Sequence, residues 1–375
     1  MKVLHISKYY PPVMGGIESV AWELVEGLNR AGVGADVLCS NQRPTLTRER
    51  AQQGYQIVRA GSWGTLQSTS IAPSMVLQLR RMAADVQIVH LHMPDPMAAM
   101  ALWLARPRAR VVVHWHSDVI RQRWALKLYE PLQRWLLQRA DAVVATSQAY
   151  AASSLALRPW LGKVTVIPIG ISDNRSQACS IKAAALRQRF RNRRIVFSLG
   201  RMTYYKGFEV LIDAAASLPE DTVVLIGGEG ELLEHFRATV ERRGLGAKIC
   251  LLGHVNDDDL ASHFEACDVF CMPSTVRAEA YGVAMVEAMV MGKPIVASDI
   301  KGSGVPWVNV DGQTGFNVPV GQPAPLAAAL LRLLQDEPLR QRLGMAARQR
   351  YLLDFNAERM TQRTLGLYRQ LSAAD

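Results

Sequence analysis

The sequence predicts an α/β protein of two successive Rossmann-like domains, and three observations carry the prediction. Its 375 residues are too many for one ordinary core and suit two domains of average size. Apolar residues make up 49% of the chain, enough for each half to bury a core of its own. A short apolar strand at residues 3–7, the loop KYYPPVMGGIE and an amphipathic helix follow one another at the start, and the order returns with IVFSLG before RMTYYKGFEVLIDAAASL. Strand, glycine turn and helix are the opening unit of a doubly wound sheet.

In chain order, the first helix is expected over residues 18–31, strands over 34–40 and 55–60, and a helix over 74–84. VQIVHLHMPDP then carries His90 and His92 at the C-terminal end of an apolar strand, and residues 111–116 repeat the pattern with His114 and His116. Side chains alternate along a strand, so each pair shares a face. Strand C-termini border the ligand crevice of such a sheet. A His-x-His pair can bind metal, but no carboxylate or cysteine accompanies either pair at metal-site spacing. Hydrogen bonding to backbone, or packing beneath a loop, is the expected role. Strands at 141–147 and 164–168 close the first half, and PIGISDNRSQ, with turn residues and no apolar period, places a linker at 171–193.

The second half opens at Arg194. Arg201 and Lys206 stand between its first strand and a helix of apolar period, where a guanidinium and an ammonium can share the charge of a leaving diphosphate. VVLIGGEG, within 222–230, ends in a glycine turn without a following Lys-Ser/Thr, so it is not a P-loop. Asp257, Asp258 and Asp259 precede an apolar helix at 260–266, where aspartate is favoured by capping and by the helix dipole; they read as structural rather than as a metal motif. The five cysteines are scattered and odd in number, which gives no disulfide framework and points to packed thiols.

The stretch 277–299, RAEAYGVAMVEAMVMGKPIVASD, carries the site. Glu279 is expected in a loop, Tyr281, Gly282, Val283 and Ala284 at the start of a helix, and Glu287 one turn inside it. Gly292 and Pro294 end the helix before a buried strand at 295–298. An open helix start binds anions through its unpaired N–H groups and its dipole, while carboxylates accept protons from hydroxyl groups. Phosphates flanked by hydroxyl-rich rings, as in a nucleotide-sugar, fit that combination. From 325 onward the pattern is helical, and Met360, Leu365, Leu367, Tyr368 and Leu371 mark an apolar face on the last helix.

The formal charge of +10 calls for an acidic partner or surface. No nucleic-acid module is present. Arg106, Arg108, Arg110, Arg121, Arg123, Lys127, Arg134 and Arg139 crowd residues 103–139 beside Trp103, Trp124 and Trp135, with only Asp118 and Glu130 opposing them. Aromatic and basic faces on one helical segment suit either an anionic membrane surface or a solvated helix with its aromatics turned inward. The start of the chain lacks the apolar stretch of a signal peptide, and no run is long enough to span a bilayer. The expected location is cytoplasmic, with peripheral contact at the inner face of the inner membrane.

Glu-x7-Glu followed by EAMVMGKPIVASD, together with GRMTYYKGFEVLI and HWHSD, resembles the retaining glycosyltransferases of family 4 over nearly the whole chain. That resemblance implies the GT-B fold, two Rossmann-like domains facing across a cleft. Residues 1–170 would bind acceptor, 171–193 link, 194–355 bind the nucleoside-diphosphate sugar, and 356–375 cross back as a helix onto the N-domain. It implies no cofactor and no metal. Gly15 and Gly16 would lie beside donor phosphates, with Glu18 and Asp118 near the acceptor. His116 would lie near the transferred sugar, with Asp118 placed to orient it. Arg201 and Lys206 would hold the diphosphate, Glu279 the sugar hydroxyls, Glu287 the ribose, and the loop Gly302, Ser303 and Gly304 would border phosphate. KYYPPVMGGIE, HWHSD, GRMTYYKGF and GSGVPWVN together resemble bacterial mannosyltransferases that build O-antigen or exopolysaccharide on a lipid carrier. GDP-mannose and a lipid-linked glycan acceptor are the implied substrates, and a UDP-sugar donor stays open. Rival readings are a UDP-sugar epimerase of the same fold and a non-catalytic nucleotide-sugar-binding protein.

Overall fold

The computed structural model describes the chain apart from residues 14, 67–68, 119–122, 174–176, 192 and 374–375 and the side chains of 123–128 and 177–178. It divides into two compact units, Met1–Ser172 with Asn356–Asp375, and Asp173–Phe355.

The first unit is built on a sheet of eight strands in the order Val164–Val166, Ala142–Ala145, Arg110–Trp115, Ile88–Met93, Lys2–Ser7, Gly34–Ser40, Gln56–Ala60 and Thr47–Arg50. All pairs are parallel except the last, which is antiparallel at the edge. Central strands covered on both faces read as continuous apolar runs, and Val3, Leu4, Ile6, Val111, Val112 and Val113 are wholly buried. The first helix, Gly16–Arg30, starts two residues before its expected place and buries Val20, Leu24 and Leu28 at helical spacing. The last helix, Ala357–Ala373, belongs to this unit. Thr361 lies against Gly27 of the first helix, where a Cβ would collide with it. Met360, Thr364 and Tyr368, each four residues from the next, face inward, and the helix is tied on by Ala357 N–H donating to Ile171 O at 3.0 Å.

The second unit carries six parallel strands, ordered Ile249–Gly253, Thr222–Gly227, Arg194–Leu199, Val269–Met272, Ile295–Ser298 and Gly315–Val318. This is the doubly wound order, with its switch point between Arg194–Leu199 and Val269–Met272; ligands of such sheets bind beyond the strand ends at that point. In the first unit the corresponding reversal falls between Lys2–Ser7 and Ile88–Met93.

Residues 171–193 differ from a plain linker. They contain the helix Gln177–Arg189, held on Asp257–Ala266 by Lys182 Nζ donating to Asp259 at 2.6 Å and by Ser180 Oγ donating to Glu265 at 2.7 Å. These anchors are polar, and only Cys179 and Ala183 among its described apolar side chains are buried, so no apolar period announces the helix. Aspartates 257–259 form the first turn of their own helix, Asp257–Ala266, which starts three residues earlier than expected. Cys39, Cys179, Cys267 and Cys271 are buried free thiols and Cys250 is half-buried.

Candidate functional site

Lys206 and Glu279 are 73 residues apart in sequence, but each follows a strand that flanks the switch point of the second unit. Lys206 ends the short 3-10 turn Tyr204–Lys206, and Gly207 follows it at φ +68°. A Cβ on Gly207 would strike the carbonyl oxygen of Pro273, so glycine lets this loop close onto the end of Val269–Met272. Thr275 N–H donates to Tyr205 O at 2.8 Å and fastens it there. Lys206 Nζ consequently donates to Glu279 Oε2 at 2.6 Å, and Ser274 Oγ donates to the same oxygen at 3.0 Å. Both side chains are largely buried, 13% and 10% exposed. Burial works against the Lys206 ammonium, but the Glu279, Tyr205 and Glu287 charges outweigh it and raise the lysine above its ordinary value. Lys206 stays charged.

The helix Val283–Val290 begins at Gly282, whose φ is +86°. A side chain there would meet the thioether ends of Met272 and Met285. No side chain caps this helix, and Val283 and Ala284 are half-exposed, so their N–H groups are left open at the helix start, the arrangement that can accept an anion. Glu287 is the fifth residue of the helix and half-buried. Burial, then Asp257, raise its carboxyl to about 7 against the pull of Lys206. Near neutrality it can donate as well as accept. The Tyr281 ring, expected to line the donor site, is buried against Trp307 and Phe355; its aromatic bulk braces the helix start from below. The 302–304 loop is fastened to the same segment, with Ser303 Oγ donating to Glu279 O and Gly304 N–H donating to Ala280 O at 2.8 Å. Arg201 is exposed and makes no hydrogen bond or ion pair among the described residues.

The switch point of the first unit is filled with histidine. Register puts His5 beside His90 and His92 beside His114, and His116 stacks on His114 with ring centroids 4.1 Å apart. All five are buried. Burial first, then neighbouring rings, lower His5 to about 3 and push His90, His92 and His116 well below the ordinary imidazole range; burial alone lowers His114 to about 3. The five rings are neutral. His5, in the first strand, is absent from the sequence-derived candidates: a lone histidine in KVLHIS gives no signal without the strand register.

Asp118 does not orient His116. Its Oδ1 accepts from Trp115 Nε1 at 2.9 Å and Ser154 Oγ at 2.7 Å, while the hydrogen bond of His116 goes to His92 at 3.0 Å. Gly15 is extended at φ −163° and Gly16 opens the first helix with nothing within reach of an added Cβ, so neither needs glycine for its backbone. Glu18 folds back to that start, its carboxylate beside Gly15, and burial raises its pKa. In the basic stretch, Arg110 and Arg139 are both paired with Asp141, at 3.1 and 2.9 Å, so one carboxylate engages both guanidinium groups and offsets one of their two charges. The cause is Asp141 itself, two residues past the stretch and held in register by Val111 N–H at 2.8 Å. Arg121 lies outside the described residues, as do the side chains of Arg123, Trp124 and Lys127. Trp103 is 39% exposed beside exposed Met100 and Leu104. No helix among the described residues is long and apolar enough to cross a membrane.

Two family models match the chain, one described as "Glycosyltransferase Family 4" over residues 14–175 and one as "Glycosyl transferases group 1" over 184–350. An O-antigen chain mannosyltransferase C of Escherichia coli is 33% identical over 374 residues, covering 99% of each chain. A D-rhamnosyltransferase of Pseudomonas aeruginosa is 34% identical over 361 residues, covering 95% of this chain and 93% of that one. The solved sucrose-phosphate synthase of Thermosynechococcus elongatus superposes with a TM-score of 0.82 at 23% identity over all of both chains; that likeness assigns the GT-B fold.

Proposed function

We propose that this chain, which belongs to the family 4 glycosyltransferases, is a retaining, metal-independent hexosyltransferase that moves a mannose-configured sugar from a GDP-linked donor to a lipid-linked glycan during bacterial surface-polysaccharide synthesis. Two relatives support the sugar. One is named for mannose and the other for D-rhamnose, which is 6-deoxymannose and shares the configuration of the ring.

The observation that carries the reading is the Lys206–Glu279 pair beside the uncapped helix start, at the switch point where a doubly wound sheet takes nucleotides. Lys206, Arg201 and the N–H groups of Val283 and Ala284 stabilise the diphosphate as its bond to the anomeric carbon lengthens. Charge there develops only in the transition state, so fixed donors lower the barrier without first having to reorganise. Glu279 Oε2 is taken up by Lys206 and Ser274, which leaves Oε1 to accept from a sugar hydroxyl. Glu287 binds the ribose diol, and His116 binds the transferred sugar or the acceptor hydroxyl. Attack on the face the diphosphate leaves, with a phosphate oxygen taking the acceptor proton, retains configuration without an enzymic nucleophile. Trp103, Met100 and Leu104, beside the remaining arginines, touch the anionic inner leaflet in this reading.

Isothermal titration with GDP, UDP, GDP-mannose and UDP-glucose, without metal, tests the donor. Binding of the guanosine compounds alone is expected. Selective binding of the uridine compounds would keep the fold and the phosphate site but discard mannose.

A further inference from the structure

We infer that Tyr368 and the four histidines beneath His116 form one hydrogen-bonded relay that gives His116 its tautomer, which makes them positioning residues for the transfer; the kinetic part of this rests on the role proposed for His116.

The relay can be followed atom by atom. His116 Nε2 faces His92 Nδ1 at 3.0 Å, His92 Nε2 faces His5 Nδ1 at 3.1 Å, and His5 Nε2 faces the Tyr368 hydroxyl at 3.3 Å. The hydroxyl meets His90 Nδ1 at 2.6 Å, and His90 Nε2 meets His114 Nδ1 at 3.3 Å. At one end His114 Nε2 is buried without a partner. At the other, His116 is the most exposed of the five histidines, at 5%, and its Nδ1 makes no hydrogen bond among the described residues. Three strands and the last helix contribute, all within the first unit.

Proton counting limits what this arrangement can do. A neutral imidazole has one N–H and one lone pair, and a phenol has one O–H. Six groups therefore bring six protons to five links. If one ring is protonated on the wrong side, two hydrogens or two lone pairs meet inside a buried core, where nothing offsets the loss. Only two orders avoid this and also use the Tyr368 O–H, since a phenol oxygen that accepted on both sides would leave its own buried proton without an acceptor. In one, every histidine is protonated at Nδ1 and His116 presents an N–H; in the other, every histidine is protonated at Nε2 and His116 presents a lone pair. The histidines change tautomer together, and Tyr368 is the link that joins His5 and His92 to His90 and His114.

The test is a two-bond 1H–15N correlation spectrum of the full chain labelled with [15N]histidine, near neutral pH, for wild type and Tyr368→Phe. Five neutral rings sharing a single tautomer, of either kind, are expected in the wild type. Tyr368→Phe cuts the relay, so mixed tautomers are expected, with kcat lowered about tenfold and the donor KM unchanged. A merely structural tyrosine would lower the unfolding temperature and leave the tautomers alone. Mixed tautomers in the wild type would overturn the relay. So would a stoichiometric divalent ion bound to these rings, since two His triads bring their nitrogens within 4.8 Å of one another. An unchanged His116 tautomer and kcat in folded Tyr368→Phe would overturn it too. If that variant does not fold, the wild-type spectrum decides; if no sugar is transferred, the spectra still decide, and only the proposed role of His116 fails.

Discussion

The two switch points solve the same physical problem in opposite ways. Each lies where the strand order of its sheet reverses, and each has polar groups sunk below the surface. The first unit fills the place with neutral rings and a phenol hydrogen-bonded to one another. The second fills it with a lysine, two glutamates and the open start of a helix. Neutral groups need only be paired when buried, whereas charges need a counter-charge and further hydrogen bonds. In the proposed reaction the difference teaches where charge would be put: the unit that holds fixed charge suits a diphosphate, and the neutral one suits an uncharged sugar or hydroxyl.

Lys206→Ala should break the comparison most severely. It removes the cation proposed to face developing charge and leaves Glu279 paired with Ser274 alone. A fall in kcat of about 10²–10³-fold is expected, with a smaller loss of donor affinity measured by titration. Equal losses in both would reduce Lys206 to a simple binding group. Glu287→Ala should weaken nucleotide affinity about tenfold, the worth of a hydrogen bond to a charged group; unaltered affinity would move Glu287 off the ribose.

Acid and base should separate the two regions by sign. Histidines 5 and 114 fall from 6.5 to about 3 on folding, so between those values the unfolded chain binds more protons. Stability from this region is complete above 6.5 and lost as pH falls below it. Glu287 goes the other way, from 4.5 to about 7. Its contribution is complete below 4.5 and lost as pH rises through 7. Thermal unfolding across this range should show Tm dropping on the acid side, and Glu287→Gln should gain on wild type as pH passes 7. A flat acid limb would mean that the histidines are not buried neutral. The smallest effect is expected from EDTA: transfer unchanged, whereas activity restored only by a divalent ion would overturn the metal-independent reading.

Much of this site is written locally. GRMTYYKGF places Lys206 at a strand end and Gly207 after it, and YGVAMVEAM announces a helix opened by glycine with Glu287 one turn inside. The failures have one cause. Asp118 follows His116 so closely that sequence suggests a pair, yet Trp115 and Ser154 hold it elsewhere. Tyr281 stands beside the uncapped helix start in sequence with its ring turned into an aromatic cluster. Asp141, just outside the basic stretch, engages two of its arginines through strand register.

What the sequence by itself determined is the period and the punctuation: apolar runs for buried strands, glycines for left-handed turns, a helix start left without a cap. These are local, because backbone geometry and the preference of a side chain for water act on each residue and its near neighbours. Tertiary structure alone decided the partners. Lys206 meets Glu279, and His5 joins His90 and His92, because parallel strands bring together residues separated by a whole crossover. Tyr368 reaches them from the far end of the chain. Such pairings depend on which strands lie side by side, and no local spacing records that.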